Sequence, residues 1–289
     1  MYKKNIITIG LAITMLFGIL GLSGCRENRN FSFVRVGDFY AVTGGIPDSE
    51  GHLAIPSRHR GIDVIMINYS AFKGNENIKS AFIPNTIETI HSWAFKDTIN
   101  MRNIEFESNS RLRAIVSNGN VLEGAFGEHD AGAFENSGIE NILLPRSLEL
   151  IGRLAFAHTK NLIEVDFEFG SSLHSINFGA FGGSSLEWIR FPASLRFIGI
   201  GAFSRTNLIE IEQEGGSNLE IIDPSAFRDT ISLLKFIIPL KVITIPNFVF
   251  YGWRSNQTIY VEGRKEMTGI PGTNNNATIV WNWSISTPI

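Results

Sequence analysis

Large apolar residues recur along most of this chain at a spacing close to 23 residues. The most regular element is an Ala-Phe pair, and most intervals from one Phe to the next are 22 to 25 residues long. One interval is longer, at 39 residues. The pairs end at Phe72, Phe95, Phe134, Phe156, Phe181, Phe203 and Phe227, and Val249-Phe250 is a variant. A period of this length indicates a repeat architecture, in which each unit buries its apolar face against its neighbours.

Two short apolar patterns flank each of these Phe residues. A run of the form L-x-x-I begins eight residues before the Phe, as at residues 173–176. A second run, L-x-x-I-x-F, follows the Phe, as at residues 186–191, and its last four residues alternate in the way of a short strand with one buried face. Several of these strands end at a proline, which has no N–H for the ladder. The Ala-Phe segment is predicted to form a tight turn or a single helical turn, with the Phe in the interior.

The complete unit, L-x-x-I-x-x-x-A-F followed by L-x-x-I-x-F-P, resembles the BspA-like branch of the leucine-rich-repeat family. The resemblance covers about residues 64–250, and the entry segment 40–64 is similar as well. It implies a repeat solenoid of short parallel β-strands joined by tight turns or single helical turns, right-handed and curved. It also implies display on the cell surface and contact with host matrix proteins or with other bacteria, although a fold by itself does not fix a function.

The first 25 residues have the order of a lipoprotein leader. Lys3 and Lys4 precede an apolar run, and the run ends in Leu22-Ser23-Gly24-Cys25. This ending resembles the lipobox of bacterial lipoproteins, in which the cysteine is lipidated and becomes the first mature residue. We therefore predict a signal peptide at 1–24, a lipid at Cys25 and membrane attachment through that lipid. The alternative is a plain anchor helix with an incidental cysteine.

The remaining chain divides around the repeats. We expect an anchor and N-terminal cap at 25–60, the leucine-rich-repeat solenoid at 61–258 and a C-terminal cap at 259–289. The 39-residue interval predicts an insertion at about 116–131, which projects as a loop. Insertions in solenoids often lie on binding faces. Neutral drift explains this one equally well, because loops tolerate insertion.

Composition and charge narrow the classes of function. Apolar residues make up 44% of the chain and charged residues 18%, which indicates an ordered protein. The net charge of −3 argues against a nucleic-acid partner, which would need a basic stripe. No H-E-x-x-H, G-x-S-x-G or phosphate-binding loop occurs in the sequence. We therefore predict that the protein is not an enzyme and uses neither a metal nor a cofactor.

The outward positions of the L-x-x-I-x-F strands supply the candidate binding surface. Their middle section is acidic and is interrupted by one Trp and one Arg, two residue types that often anchor interfaces. The candidate residues are Glu105, Glu164, Asp166, Trp188, Arg190, Glu210 and Glu212. We predict that they form a concave protein-binding face with a preference for a basic segment. The alternative is a solvated sheet face whose acids maintain solubility.

These features together predict a surface-anchored leucine-rich-repeat lipoprotein that binds protein partners. The adhesin-like version of this function is directed toward host matrix or other cells, from the outer membrane or cell surface. Arg26 follows the predicted lipidated cysteine and agrees with an outer-membrane address. The alternative is a structural or assembly scaffold of the envelope that faces the periplasm.

Overall fold

The structure is a computed structural model that describes residues 30–116, 132–267 and 276–284. Within these ranges the chain consists of β-strands and turns, with no helix. The strands are, in chain order, β1 (Phe31–Val36), β2 (Phe39–Gly45), β3 (His52–Ala54), β4 (Arg58–His59), β5 (Ile62–Ile67), β6 (Ser80–Ile83), β7 (Thr89–Ile90), β8 (Asn103–Phe106), β9 (Ala114–Ile115), β10 (Asn141–Leu144), β11 (Leu150–Ile151), β12 (Glu164–Phe167), β13 (Ser175–Ile176), β14 (Trp188–Phe191), β15 (Phe197–Ile198), β16 (Glu210–Gln213), β17 (Ile221–Ile222), β18 (Lys235–Ile238), β19 (Thr258–Glu262) and β20 (Thr278–Trp283).

The strands form two stacks that run along the repeats. The short-strand sheet has the order β1-β2-β5-β7-β9-β11-β13-β15-β17, with β4 paired to β5. The long-strand face consists of three successive sheets, β3-β6-β8, β10-β12-β14-β16 and β18-β19-β20. Except for the β1–β2 and β4–β5 pairs, the pairing is parallel. This arrangement confirms the predicted solenoid of short parallel strands.

The repeated Phe residues form one column through the interior. Neighbouring ring centroids lie 5.1–5.9 Å apart from Phe72 to Phe250, and every ring in the column is buried. From Phe95 to Phe227 the planes of neighbouring rings differ by 6° or less. Each ring is therefore covered by the rings above and below it, so no single repeat can bury its own Phe.

Each Ala-Phe segment forms a tight turn in which the residue two after the Phe has positive φ, and so does the residue two before the Phe except at Phe134. At Phe156 these residues are Leu154 and His158, and at Phe181 they are Gly179 and Gly183. The Phe N–H donates to the carbonyl of the residue before the next Phe, at 2.7–3.0 Å. These hydrogen bonds form a third ladder between repeats, in addition to those of the short-strand sheet and the long-strand face. Because the Phe N–H is used in this ladder and not within a helix, the segment is a tight turn and not a single helical turn.

In addition to the 23-residue period, one position of the repeat alternates between two residue types from each repeat to the next. From β6 to β19, the position that follows the fourth residue of each long strand is occupied in turn by Pro and Glu. The series runs Pro84, Glu107, Pro145, Glu168, Pro192, Glu214, Pro239 and Glu262. Each Glu carboxylate accepts a hydrogen bond, 2.8–3.0 Å long, from the backbone N–H of the residue that follows Pro in the preceding coil. The carboxylates thus pair N–H groups that the strand ladder, ended by Pro, leaves free.

Substitution of one of these carboxylates tests the role of the alternation. In Glu214→Ala the N–H of Ala193 loses its acceptor, and we expect the free energy of unfolding to fall by about 1–2 kcal/mol, because a hydrogen bond to a charged group is lost at a half-buried position. Glu214→Gln keeps an acceptor oxygen and should lose less. Denaturant titration followed by circular dichroism measures both, with the exposed Glu76→Ala as the control. Equal stability of Glu214→Ala and the control would refute the role.

The N-terminal end of the solenoid is covered by the β1–β2 hairpin. The His59 ring stacks on Phe33 at 4.2 Å and meets the edge of Tyr40 at 4.8 Å, so one imidazole joins the hairpin to the first coil. Across the described ranges no helix is long and apolar enough to cross a membrane. The predicted signal peptide, Cys25 and nearly all of the predicted insertion, residues 117–131, lie outside the described residues.

Candidate functional site

The predicted binding residues lie in two outward columns on the long-strand face. Strands β12, β14 and β16 pair in register, which places Trp188 between Glu164 and Glu210 in one column. In the second column Arg190 is opposite Glu212 and forms an ion pair with Asp166. The parallel ladder therefore brings together six of the seven predicted residues, on three adjacent rungs about 4.8 Å apart.

Glu105 lies apart from this group. It is on β8, which belongs to the sheet of β3 and β6 and is paired there with Phe82. The β10 rung, with the half-exposed Leu143, separates Glu105 from Asp166. Glu105 therefore shares the surface with the other six residues without touching their cluster.

Arg190 is held by its own neighbours. Its guanidinium lies 3.4 Å from Asp166 and 3.7 Å from Glu212, and its Cζ is 5.8 Å from the centre of the Trp188 ring. These two acids neutralise the cation and hold it beside the indole. Arg190 is therefore a positioning residue for Trp188, not a free cation offered to a partner.

The carboxylates on either side of Trp188 differ from Arg190 in their exposure and in their ion pairing. Glu164 and Glu210 are exposed, and within the described residues neither forms an ion pair. The indole between them is half-buried, so one part of its surface packs on the protein and the other faces solvent. An aromatic ring between two unpaired carboxylates can accept the side chain of a Lys or Arg, because the ring covers the aliphatic stem and the acids attract the charged end.

The structure also shows a groove on the short-strand sheet, which the sequence analysis did not identify. The groove has a volume of about 680 Å³ and runs from β7 to β17. Its floor includes Leu150, Phe197 and Ile221. Along its rim the second residue of each L-x-x-I run follows the order Glu88, Arg113, Glu149, His174, Arg196 and Glu220. The recurrence of ionisable residues of both signs at this one position of the repeat was the signal in the sequence that could have revealed the groove.

The charges on the groove rim are largely paired with one another. Arg113 donates to both carboxylate oxygens of Glu149 at 2.9 and 3.2 Å, and this contact raises the pKa of Arg113. Arg196 reaches both oxygens of Glu220 at 3.3 and 3.0 Å. Because these charges are paired within the rim, the rim presents less uncompensated charge than Glu164 and Glu210 do on either side of Trp188.

The pKa values of Asp63 and Asp223 are also shifted from the ordinary value of an aspartate. Hydrogen bonds from Arg58 and then from Arg111 lower the pKa of Asp63, so this aspartate connects the N-terminal cap to the third coil as a charged group. Burial raises the pKa of Asp223, next to β17. The described ranges contain no group of three His, Cys, Asp or Glu side chains that could hold a metal ion.

The chain belongs to the family of BspA-type leucine-rich-repeat regions. The family profile matches residues 62–118 and 128–262, in six copies. Among solved structures, the chain is similar to the pneumococcal vaccine antigen PcpA, with a TM-score of 0.59 and 19% identity over 88% of this chain and 69% of the antigen. It is also similar to a leucine-rich-repeat protein of T. pallidum, with a TM-score of 0.45 and 18% identity over 88% of this chain and 84% of the other. A search of curated proteins found no match.

Proposed function

We propose that this protein is a surface-anchored lipoprotein that binds a basic segment of a partner protein through the Trp188 cluster, in an adhesin-like role. The Trp188 cluster consists of Glu164, Trp188 and Glu210, supported by Arg190. The observation that carries the proposal is the position of Trp188 between two exposed, unpaired carboxylates.

The Trp188 cluster has the properties of an interface anchor. A Trp fixed by neighbouring groups loses little side-chain entropy on binding, and Trp is enriched among residues that dominate binding energy. Its support is rigid, because it stands on a strand paired on both sides. Acids on adjacent rungs attract a cationic partner from a distance and should make association depend on ionic strength.

Binding to a cationic peptide tests the Trp188 cluster. The probe is a fluorescein-labelled peptide in which Lys and Ser alternate, measured by fluorescence polarisation at low salt. We expect Trp188→Ala to weaken binding about tenfold or more, and Glu164→Gln with Glu210→Gln to weaken it similarly. The matched control, Glu76→Gln with Glu266→Gln, removes the same charge from two other exposed positions. If the control and cluster variants weaken binding equally, the peptide responds to net charge alone and the site is excluded.

Attachment and orientation need a separate test. Support for the anchor comes from the lipobox-like Leu22-Ser23-Gly24-Cys25, and support for surface display comes from the likeness to a vaccine antigen. We expect Cys25→Ala to abolish labelling by radioactive palmitate. Protease added to intact cells should remove the solenoid. Protection until the envelope is broken would contradict the adhesin role and favour a scaffold that faces the periplasm.

A further inference from the structure

The N-terminal hairpin carries an apolar patch on its outer surface. Val36 lies opposite Phe39 in the antiparallel ladder, and Val34 is two residues before Val36, so the three side chains share one face. Their exposed fractions are 43% for Val34, 39% for Val36 and 45% for Phe39. Phe31 and Phe33, on the other face of β1, pack against the core. The patch therefore comprises the large apolar side chains of the hairpin that the core does not use.

The patch is also at the end of the stack. In the part of the chain that the structure describes, β1 pairs with β2 alone and is the outermost strand of the short-strand sheet. Ile46, 70% exposed, donates its N–H to the carbonyl of Asn30 at 2.9 Å and so lies beside the start of β1. Exposed apolar residues thus occur at both ends of the outermost strand.

The position of Cys25 in the chain limits how far this end can be from a membrane. Five residues lie between Cys25 and Phe31, and the six Cα-to-Cα steps from one to the other span about 20 Å in a fully extended chain. If Cys25 is lipidated, its sulfur is held at the membrane interface, and β1 cannot move further away than this tether allows. The tether gives the hairpin a high local concentration at the bilayer surface, so even weak contacts are made repeatedly.

We infer that the Val34, Val36 and Phe39 face of the hairpin docks on the lipid bilayer that holds the Cys25 lipid. The inference rests on the lipid anchor in the proposed function. Valine and phenylalanine gain free energy by entering the region between headgroups and acyl chains. Asp38 is the one exposed acid of the hairpin, and the exposed Arg60 on the same cap adds a positive charge that anionic headgroups attract.

Docking of this face would orient the solenoid on the membrane. Val34 pairs with Ala41, Ala41 with Met66 and Met66 with Thr89, so the patch lies on the outward face of the short-strand sheet. The long-strand face, with the Trp188 cluster, lies on the other side of the core and would then point away from the lipid surface, accessible to a partner on another protein. A single lipid without docking would leave the solenoid free to tumble on its tether.

Fluorescence quenching by lipids tests the docking. The lipidated full chain carries Val36→Cys labelled with bimane and is incorporated in vesicles of phosphatidylcholine and phosphatidylglycerol that contain doxyl-labelled lipid. Cys25 is the chain's one natural cysteine, and its lipidation leaves the introduced thiol as the reactive one. The control label is at Leu143→Cys, which is 54% exposed on the long-strand face, on the other side of the core. We expect at least about twofold stronger quenching at 36 than at 143, because quenching requires contact with the acyl region.

The lipid anchor and the docking of the hairpin are tested by separate measurements. Flotation of the protein with the vesicles reports the lipid anchor, and quenching reports the docking. Equal quenching at both positions in floating protein would overturn the docking and leave the anchor intact. Failure to float would overturn the anchor and the inference with it. As a second check, Phe39→Asp with the label at Val34→Cys should reduce quenching without loss of flotation, and unchanged quenching would also contradict the docking.

Discussion

Phe156→Ala is expected to reduce the free energy of unfolding by about 3–5 kcal/mol, because it removes a buried ring from the middle of the Phe column. The Phe156 centroid lies 5.1 Å from Phe134 and 5.3 Å from Phe181, so the substitution also uncovers one face of each neighbour. In a solenoid the coupling between adjacent repeats carries much of the stability. A gap in the column should therefore weaken the coupling between the two halves and broaden the unfolding transition.

Guanidinium titration followed by circular dichroism measures this effect. Phe169 provides a matched control in the same repeat, since it is 95% exposed and Phe169→Ala should change stability by less than about 0.5 kcal/mol. Phe156→Leu refills part of the space and should lie between the two. A loss below about 1 kcal/mol for Phe156→Ala would mean that the column is not the main cohesive element of the fold.

The column and the parallel strands could be predicted from the sequence because both follow from spacing along the chain. A Phe every 23 residues and a period-two alternation after it fix which side chains face inward. The Pro and Glu alternation was missed because the carboxylate of Glu168 pairs with a backbone N–H at Arg146, in the previous coil. A pattern of side chains along one strand does not reveal a main-chain partner on the next.

The candidate site was predictable in part for the same reason. Alternation identified Glu164, Trp188 and Glu210 as outward residues, and the strand register then placed them side by side. The different roles of the charges depend on side-chain reach across rungs, which turns Arg190 toward Asp166 and Glu212. The groove on the short-strand sheet depends on how the coils stack in three dimensions, and its depth has no direct signature in one strand.

At the C-terminal end, the last residue of the repeating turn changes identity. Three residues after the column Phe, four repeats have a buried Thr whose hydroxyl donates to the Phe carbonyl at 2.7–2.9 Å: Thr98, Thr159, Thr206 and Thr230. After Phe250 this position is Trp253, which is 1% exposed. Its Nε1–H donates to the Phe227 carbonyl at 3.0 Å and to the Thr230 hydroxyl at 2.9 Å. The indole thus joins the last turn to the polar groups of the turn before it.

Gln257 forms further hydrogen bonds between the C-terminal end and the turn before it. Its side chain is fully buried, and its amide donates to the carbonyls of Thr230 at 3.1 Å and Leu233 at 2.7 Å. Its oxygen accepts from the N–H of Arg254 at 2.8 Å. The carbonyls of the preceding turn therefore find donors in the side chains of Trp253 and Gln257, and the final coils depend on both residues to keep buried polar groups paired.

Trp253→Ala is therefore expected to cost about 3–5 kcal/mol, but the loss should be confined to the C-terminal coils. Hydrogen exchange measured by mass spectrometry should show loss of protection in β18, β19 and β20, with β12 and β14 unchanged. Trp253→Phe keeps most of the ring and removes the N–H, so it should cost only about 1–3 kcal/mol. A uniform loss of protection would mean that the solenoid unfolds as one unit. The same measurement on Phe156→Ala should show exposure spreading from the middle, because that substitution breaks the column between two halves whereas Trp253→Ala loosens one end.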